Sequence, residues 1–285
     1  MSSERHRPEG VAVRVFVAGA MLFLFAPVLV MIVFSFNDPG GRFNYELHHF
    51  SLAAWRHPLD VPQLGLALRN SLVVAASSTA IAAVLGTPIG YVLGRRRFPG
   101  RGAAAALTFV PLATPEVVLG AGLLTLFVAT ATTEPLRTIT GGLLFPLGLP
   151  TVIAAHVTLG VSFVIINVRS RVVGASPVLE EAARDLGASA ATAFRTVWLP
   201  VIWPGIASGA LLAFAISLDD FVLTNFTGGG TVMFPTWVYG LVRRELPPQV
   251  AVVGVLIFLV ALGAALGAVL LGARGRRRLT PGGEV

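Results

Sequence analysis

EEAARDLGASAATAFRTVWLP, residues 180–200, is the stretch on which the interpretation of the whole chain depends. Its skeleton is Glu181-Ala182-Ala183, then Gly187 after three residues, Val197 after nine more, and Leu199-Pro200 after one more. The segment is polar and is punctuated by glycine and proline, which are typical of turns. Because it lies between two long apolar stretches of a very hydrophobic chain, we predict a structured loop that leaves the lipid.

The chain as a whole has the composition of a membrane protein. Of its 285 residues, 55% are hydrophobic and only 12% are charged, and the mean hydropathy is +0.80. A soluble domain would need a more charged surface. A helix crosses a bilayer with about 20 mostly apolar residues. Six stretches qualify, and their continuity predicts helices rather than a barrel: 15–36, 68–93, 104–130, 149–168, 202–223 and 248–272.

The distribution of basic residues predicts the orientation. All 21 of them are arginine. Placing the N-terminus inside puts fifteen arginines on the cytoplasmic side and six outside, as the positive-inside rule requires. We therefore expect both termini in the cytoplasm. The net charge of +7 then indicates contact with anionic lipid headgroups, and no nucleic-acid partner is expected. The first apolar run exceeds the ~7–15 residues of a signal-peptide core, so we expect a retained helix.

The first half of the loop predicts a short surface helix. Ser176-Pro177 is a typical start, because serine can cap the helix and proline fits the first helical position. Glu180 and Glu181 follow in the first turn, where the positive end of the helix dipole favours them. Gly187 supplies the left-handed residue that ends a helix.

The second half of the loop predicts another short helix. Ser189 can begin it, and we expect it to end before Pro200. Phe194, Val197 and Trp198 fall at spacings that define one apolar face. The loop is thus expected to be a helix–glycine–helix unit that lies along the membrane surface.

Carboxylates also occur inside the predicted spans. Glu116 lies in the third span, where Pro111 and Pro115 should kink or break the helix, and Asp219 and Asp220 lie in the fifth. Acidic groups at membrane depth normally face a cavity or a partner, so they mark a candidate pathway. A structural role is the alternative, since adjacent helical residues point about 100° apart. In that role one aspartate would cap broken backbone or pair with Arg69.

The loop skeleton resembles the EAA loop of the permease subunits of binding-protein-dependent ABC importers. The resemblance covers roughly residues 65–275 and implies an all-α membrane protein with the type I importer (MetI-like) fold, here with six transmembrane helices. It implies that the loop at 176–200 contains a cytoplasmic coupling helix that docks into an ATPase. The residues carried over for coupling are Glu180, Glu181, Ala182, Ala183, Gly187, Leu199 and Pro200, with Glu181 pairing with an ATPase arginine and the alanines allowing close approach.

The resemblance also implies the organisation and the partners. Residues 1–64 would form the N-terminal tail, first helix and outer loop, 65–275 the transmembrane domain with five helices, and 276–285 a cytoplasmic tail. The expected partners are an ATPase dimer, a second and paralogous permease, and a secreted or periplasmic solute-binding protein in a bacterial cytoplasmic membrane. ATP binding would bring two coupling helices together and turn the paired permeases from inward- to outward-facing. Since the chain has no G-x-x-x-x-G-K-[ST] phosphate loop, it is not expected to hydrolyse ATP.

Three further stretches are similar to the spermidine/putrescine branch of that family: 114–120, 217–222 and 238–244. They contain Glu116, Asp219 and Asp220, which would suit a polycationic substrate, and nearby Trp237 and Tyr239 could add cation–π contacts. Two alternatives stay open. One is a permease for another solute, such as a phosphonate, an iron complex or an opine. The other is a stand-alone proton-coupled carrier that uses intramembrane His156, although a His156 hydrogen-bonded to a backbone carbonyl is the simpler expectation.

An intramembrane enzyme is less well supported by the residues. The sequence offers no nucleophile–base pair and no cluster of metal ligands, and it contains no cysteine. No catalytic residue, cofactor or metal site is therefore predicted.

Overall fold

The computed structural model describes residues 9–135, 137–138, 145–176 and 178–277, and their side chains apart from those of 9–11, 179 and 264–277. The described part is almost entirely helical. Its helices are α1 (Glu9–Phe34), α2 (Ala53–Arg56), α3 (Leu64–Arg95), α4 (Arg101–Leu107), α5 (Val110–Ala113), α6 (Glu116–Thr132), α7 (Leu149–Val173), α8 (Val178–Asp185), α9 (Ala190–Ala193), α10 (Leu199–Asp219), α11 (Val222–Thr227), α12 (Phe234–Val242) and α13 (Pro248–Arg277).

Four of these helices are long and apolar enough to cross a membrane. They are Ala12–Phe34, Leu64–Arg95, Leu149–Val173 and the continuous helix Ala190–Asp219. Two shorter apolar helices, Glu116–Thr132 and Pro248–Gly263, occupy the positions of the remaining two predicted spans. The all-helical prediction is confirmed, while the third predicted span is shorter than expected because the chain breaks inside it.

The chain divides into two compact units. One comprises the chain up to Pro62 together with the chain from Gly240 onward, and the other is Gln63–Tyr239. The first division falls close to the boundary expected at residue 64. The last helix, however, groups with the N-terminal unit, whereas we expected it within a domain at 65–275. Most of the expected tail at 276–285 lies outside the described residues.

The core of the unit Gln63–Tyr239 is made by α3, α7 and α10. Gly86 and Gly90 of α3 lie so close to α7 that an added Cβ would come within 2.8 Å of the Val164 side chain and of the Ile165 carbonyl oxygen, respectively. In lipid, small residues drive helix association because they let backbones approach closely. The buried cluster around this contact comprises Ala82, Val164, Val168, Val172, Trp198 and Ile202.

The third predicted span is interrupted as its prolines require. The helix α5 ends at Ala113, Thr114 is extended with ψ 129°, and α6 begins at Glu116 after Pro115. Gly120 of α6 then packs against the ring of Phe226, which lies in α11. The predicted break in the third span is therefore confirmed.

The other unit pairs α1 with α13. Gly254 of α13 admits Met31, whose sulfur would lie 2.6 Å from an added Cβ. The segment between α1 and α3 forms a short hairpin of β1 (Asn37–Asp38) and β2 (His49–Phe50), followed by α2. Trp55 stacks on Phe36 with ring centroids 5.2 Å apart. Trp55 itself lies in α2.

Candidate functional site

The loop between α7 and α10 begins with α8 and turns at Gly187. Gly187 has φ +84°, the left-handed conformation that glycine adopts without steric cost. Its N–H donates to the Arg184 carbonyl at 2.8 Å, and the Ala188 N–H donates to the Ala183 carbonyl at 3.0 Å. These two bonds form a Schellman motif, which satisfies the last carbonyls of the helix. The predicted glycine stop is confirmed, while Pro177 at the expected start lies outside the described residues.

One face of α8 is left uncovered by the residues that the structure describes. Its exposed residues are Val178, Glu181, Ala182, Asp185 and Leu186, at the i, i+3, i+4, i+7 and i+8 spacing of a single helical stripe. Val178 is 61% exposed and Leu186 is 90% exposed. The stripe therefore combines two carboxylates with apolar side chains at both ends. We call these five residues the α8 stripe.

The opposite face of α8 is held by Glu180. One oxygen of its carboxylate, Oε2, accepts hydrogen bonds from Nε of Arg95 at 3.0 Å and from Nε1 of Trp198 at 2.9 Å. The other, Oε1, lies 2.8 Å from Nη2 of Arg184. Since only 8% of this side chain is exposed, Glu180 points into its own protein, and we correct its expected place among the residues that face an ATPase.

Three donors keep Glu180 ionised although it is buried. Burial alone would raise the pKa of this carboxyl. The hydrogen bonds from Trp198 and Arg95, together with the charges of Arg95 and Arg184, outweigh that effect and lower the pKa below its usual value. At neutral pH the residue is thus a charged anchor between α8, the end of α3 and the start of α10.

Trp198 completes this anchor. Its ring lies below the Arg95 guanidinium at 5.5 Å, and Tyr91 makes an edge contact with it at 5.4 Å. Phe194 makes a second edge contact with Tyr91 at 5.2 Å. The predicted apolar face is therefore buried at Trp198, while Phe194 and Val197 are half-buried.

The second half of the loop is one end of a long helix. Ser189 caps it by accepting the N–H of Thr192 at 3.2 Å, as predicted. The helix does not stop before Pro200. Instead, a π turn at Phe194–Trp198 leads directly into α10. This turn precedes Pro200, which has no N–H to donate to the regular α-helical hydrogen bonds. Leu199 is half-buried and Pro200 is exposed in this continuous helix, so our prediction of a separate short helix is wrong.

A second site lies where α10 ends. The backbone at Asp220 is extended, with ψ 114°, and α11 begins two residues later. Oδ1 of Asp220 accepts the N–H of Thr224 at 3.1 Å, and the side chain is only 3% exposed. Asp220 therefore caps the short helix that follows it. Its side chain lines a small cavity together with His156 and Ser217.

His156 of α7 lies beside this cap. Its Nδ1 is 2.6 Å from the Ser217 hydroxyl, its Nε2 is 3.2 Å from the Thr224 hydroxyl, and Nε2 is 3.7 Å from Oδ1 of Asp220. Ser217 also contacts Ser78 of α3 at 3.2 Å. The expected carbonyl partner is wrong, because side-chain hydroxyls occupy both ring nitrogens. Within the described residues, Asp219 and Asp220 form no ion pair with Arg69.

Three of the remaining predicted pathway residues, Asp219, Glu116 and Tyr239, lie near this break. Asp219 is exposed, and so is Glu116 at the first position of α6. Both carboxylates are near enough to Asp220 to interact with it electrostatically. Tyr239 is 52% exposed and packs on Phe221 with ring centroids 4.7 Å apart. Trp237 of α12 is half-buried.

Several residues of these sites were not predicted. The i, i+4 spacing of Glu180 and Arg184 is a signal for an ion pair, but nothing local in the sequence connects Arg95 to Glu180, 85 residues away. Ser217 and Thr224 also gave no signal of their own. Hydroxyl residues are common in membrane helices, and only the tertiary packing selects the two that meet His156.

Similarity to known proteins identifies the family. Residues 86–277 match the family described as "Binding-protein-dependent transport system inner membrane component". The chain belongs to this family. It is thus a multi-pass inner-membrane permease, the transport component of an ABC importer.

Two curated relatives cover most of the permease. The spermidine/putrescine transport system permease protein PotC of Escherichia coli (strain K12) is 29% identical over 248 residues, covering 87% of this chain and 88% of PotC. The putrescine transport system permease protein PotI of the same strain is 35% identical over 237 residues, covering 82% and 81%.

Solved structures share the fold of the permease. A bacterial alginate ABC transporter, crystallised in complex with an alginate pentasaccharide-bound periplasmic protein, superposes with a TM-score of 0.63 at 17% identity over 95% of each chain. The MetNI methionine ABC transporter in an inward-facing conformation gives a TM-score of 0.55 at 21% identity, covering 76% of this chain and 96% of that one. The expected importer fold is confirmed.

Proposed function

We propose that α8 is the coupling helix of this permease and that the α8 stripe is the surface that enters an ATPase subunit. The observation that carries the proposal is the division of the helix into two faces. The anchored face is fixed by a buried carboxylate with three donors. The opposite face exposes Glu181, Asp185 and almost all of Leu186. An exposed leucine does not stabilise the chain by itself, so its exposure supports a surface that a partner covers.

The anchor gives the docking surface its mechanical use. A helix that moved freely on its loop would not transmit the movement of a partner. Glu180 links α8 to Arg95 at the end of α3 and to Trp198 before α10. A force applied to the α8 stripe therefore reaches two membrane helices directly. Differential contact of the stripe with two ATPase states would supply the coupling energy.

We further propose that the transported solute is a polyamine. PotC and PotI, the curated relatives named above, are a spermidine/putrescine and a putrescine permease protein. In this chain Asp219 and Glu116 are exposed carboxylates at two helix breaks, and charge of this sign suits a polycation. Tyr239 lies on Phe221, next to the break, and adds a ring face for cation–π contact.

The assembly that we propose contains two copies of an ATPase, a paralogous second permease and a secreted or periplasmic solute-binding protein. The arginine distribution supports cytoplasmic termini, which places α8 on the ATPase side of the membrane.

The docking proposal is tested by Glu181→Arg and Gly187→Val. The first variant reverses a charge on the α8 stripe, and the second places a β-branched residue at φ +84°, which side chains of that shape avoid. We expect both to abolish uptake and to weaken co-purification of the ATPase while membrane insertion is unchanged. Glu46→Arg, an equal charge reversal in the predicted outer loop, is the control. Normal uptake by both loop variants would refute the assignment.

The substrate proposal is tested on the cognate solute-binding protein and on the permease. We expect the binding protein to take spermidine or putrescine in calorimetry. We expect Asp219→Asn to reduce polyamine uptake while ATPase association stays at the wild-type level. A binding protein that ignores polyamines, or full uptake by Asp219→Asn, would overturn the polyamine assignment without affecting the docking proposal.

A further inference from the structure

A basic cavity lies beside the anchor of α8, in the unit Gln63–Tyr239. Its volume is about 300 Å³, and its lining includes Arg95, Arg96, Arg97, Arg101 and Trp198. This volume is at the lower end of the range for small-molecule sites, about 300–1,000 Å³. Four guanidinium groups at one cavity make an unusual concentration of positive charge.

The turn between α3 and α4 brings the four arginines together. Gly100 has φ +82°, which reverses the chain directly after Pro99. Arg101 then folds back, and its Nε donates to the Leu93 carbonyl at 2.9 Å. Arg101 is thereby fixed over the C-terminal end of α3, where Arg95, Arg96 and Arg97 follow one another in the chain. The terminal nitrogens of Arg101 take no part in that bond.

The charge at this cavity is mostly uncompensated. Among the described residues, Glu180 is the carboxylate that forms an ion pair with a cavity arginine, and its partner is Arg95. Arg96 and Arg97 are exposed, and Arg101 is tied to a neutral carbonyl. Three positive charges thus remain in a recess that also has Trp198 and aliphatic side chains of α7 in its wall.

Guanidinium groups in this arrangement match phosphate. Each has a planar set of N–H donors that binds phosphate oxygens in pairs. Basic pockets between membrane helices on the cytoplasmic side are typical sites for anionic lipid headgroups. The apolar wall beside the arginines would accept the glycerol and first acyl carbons of a lipid, which a free phosphate does not need.

We propose that this cavity binds a phosphate-bearing anion, and that its source is the headgroup of an anionic phospholipid. A bound phosphate would connect Arg96 and Arg97 at the end of α3 with Arg101 at the start of α4. It would hold the α3–α4 turn closed beside the Glu180 anchor. The site is a property of this chain alone, and its existence does not depend on the solute that the permease carries.

The test compares the full chain in nanodiscs of phosphatidylcholine with nanodiscs that also contain phosphatidylglycerol. Bound lipid is counted by native mass spectrometry after release. We expect the wild-type chain to retain phosphatidylglycerol over phosphatidylcholine by at least about tenfold. Arg96→Gln with Arg97→Gln should lose this preference. The matching double lysine variant should keep part of it, because lysine keeps the charge but not the paired donors.

Arg243→Gln with Arg244→Gln is the matched control. These adjacent arginines are exposed, lie elsewhere in the chain, and change the net charge by the same amount. If both double glutamine variants reduce the lipid preference equally, the effect is one of net charge and the site proposal is wrong. Retention of the preference by Arg96→Gln with Arg97→Gln would also overturn it.

Two further arms identify the source of the anion. In lipid-depleted detergent, inorganic phosphate is titrated against the wild-type chain and the Arg96/Arg97 variant. Binding of phosphate to the wild type alone, without any phosphatidylglycerol preference in nanodiscs, supports the phosphate site but assigns it to a soluble anion. If the variant instead loses the ATPase in lipid-free detergent while lipid retention is normal, the arginines bind protein carboxylates and the proposal fails.

Discussion

Two pairs of neighbouring carboxylates flank the long helix Ala190–Asp219. Glu180 and Glu181 precede it in α8, and Asp219 and Asp220 stand at its far end. In each pair one residue is buried and bonded within the chain while the other is exposed. The buried members differ in their partners. Glu180 has two arginines and a tryptophan, whereas Asp220 has a backbone N–H and a histidine.

This difference follows from where each pair lies. The loop is near water, where long arginine side chains can reach a buried carboxylate and still be partly solvated. The helix break lies among apolar helices, where neutral donors satisfy a polar group at lower desolvation cost than a second full charge. The exposed members, Glu181 and Asp219, do not serve as buried anchors within the chain. We therefore propose that Glu181 contacts the ATPase and that Asp219 contacts the solute.

The largest effect is expected from separating the members of the first pair. Glu180→Ala leaves Arg95 and Trp198 without their acceptor. Since Arg184 and Arg95 are 49% and 27% exposed, we discount the full cost of a broken buried pair to about 2 kcal/mol. The melting temperature in detergent should fall by roughly 4–8 °C, from about 2–4 °C per kcal/mol. Glu181→Ala should leave it unchanged and lose uptake. Equal melting temperatures for the two variants would contradict this division.

The second pair should divide in the same way with a smaller effect. Asp220→Ala removes the cap of α11, which costs about 1 kcal/mol, and leaves the His156 ring without its nearest carboxylate. Asp219→Ala should change the melting temperature by no more than surface substitutions do, within about 0.5 kcal/mol. Thermal unfolding of both variants, with polyamine uptake measured in parallel, checks the assignment. A destabilised Asp219→Ala beside a normal Asp220→Ala would reverse it.

The two helix ends give a third contrast. The end of α8 needs the positive φ of Gly187, whereas α10 ends at an extended residue with negative φ. Among the described residues, no atom lies within 4 Å of a Cβ added at Gly187, so Gly187→Ala has only backbone strain, about 1 kcal/mol. We expect a slightly lower melting temperature with partial uptake. Uptake as low as that of Gly187→Val would show that the backbone angle, and not the bulk of the side chain, decides the function.

The Glu180 anchor should weaken only at acid pH. Because the pKa of Glu180 is lowered in the folded chain, its stabilisation is complete above the ordinary pKa of a glutamate and is lost as the pH falls through the lower folded value. The difference in melting temperature between wild type and Glu180→Gln should therefore be constant near neutral pH and shrink only in acid. A difference that already shrinks between pH 7 and about 6 would mean that the anchor is not held as the geometry indicates.

Local sequence signals predicted well where several helices begin, break or end. Pro115 predicted the break before α6, Gly187 the end of α8, and Ser189 the cap of the next helix, because each acts through its own backbone. The six apolar stretches predicted the long helices because length and hydropathy are also local properties of the sequence.

What the sequence could not predict depends on distant partners. The inward position of Glu180 needs Arg95, and the buried state of Asp220 needs His156 and the start of α11. The helix through Pro200 was missed because a π turn absorbs the proline, and such turns have no clear local signature. Adjacent acidic residues look alike in sequence, and only packing decides which of them is exposed.

The continuity of the helix from Ala190 to Asp219 has a geometric consequence. Thirty residues without a break make a rod of about 45 Å. A tilt of about 10° would swing the Asp219 end by about 8 Å relative to the Ala190 end over that length, enough to open or shut a passage beside it. Movement of the loop would then reach the break at Asp220 along one helix, and the π turn at Phe194–Trp198 and Pro204 are the points at which that helix can bend.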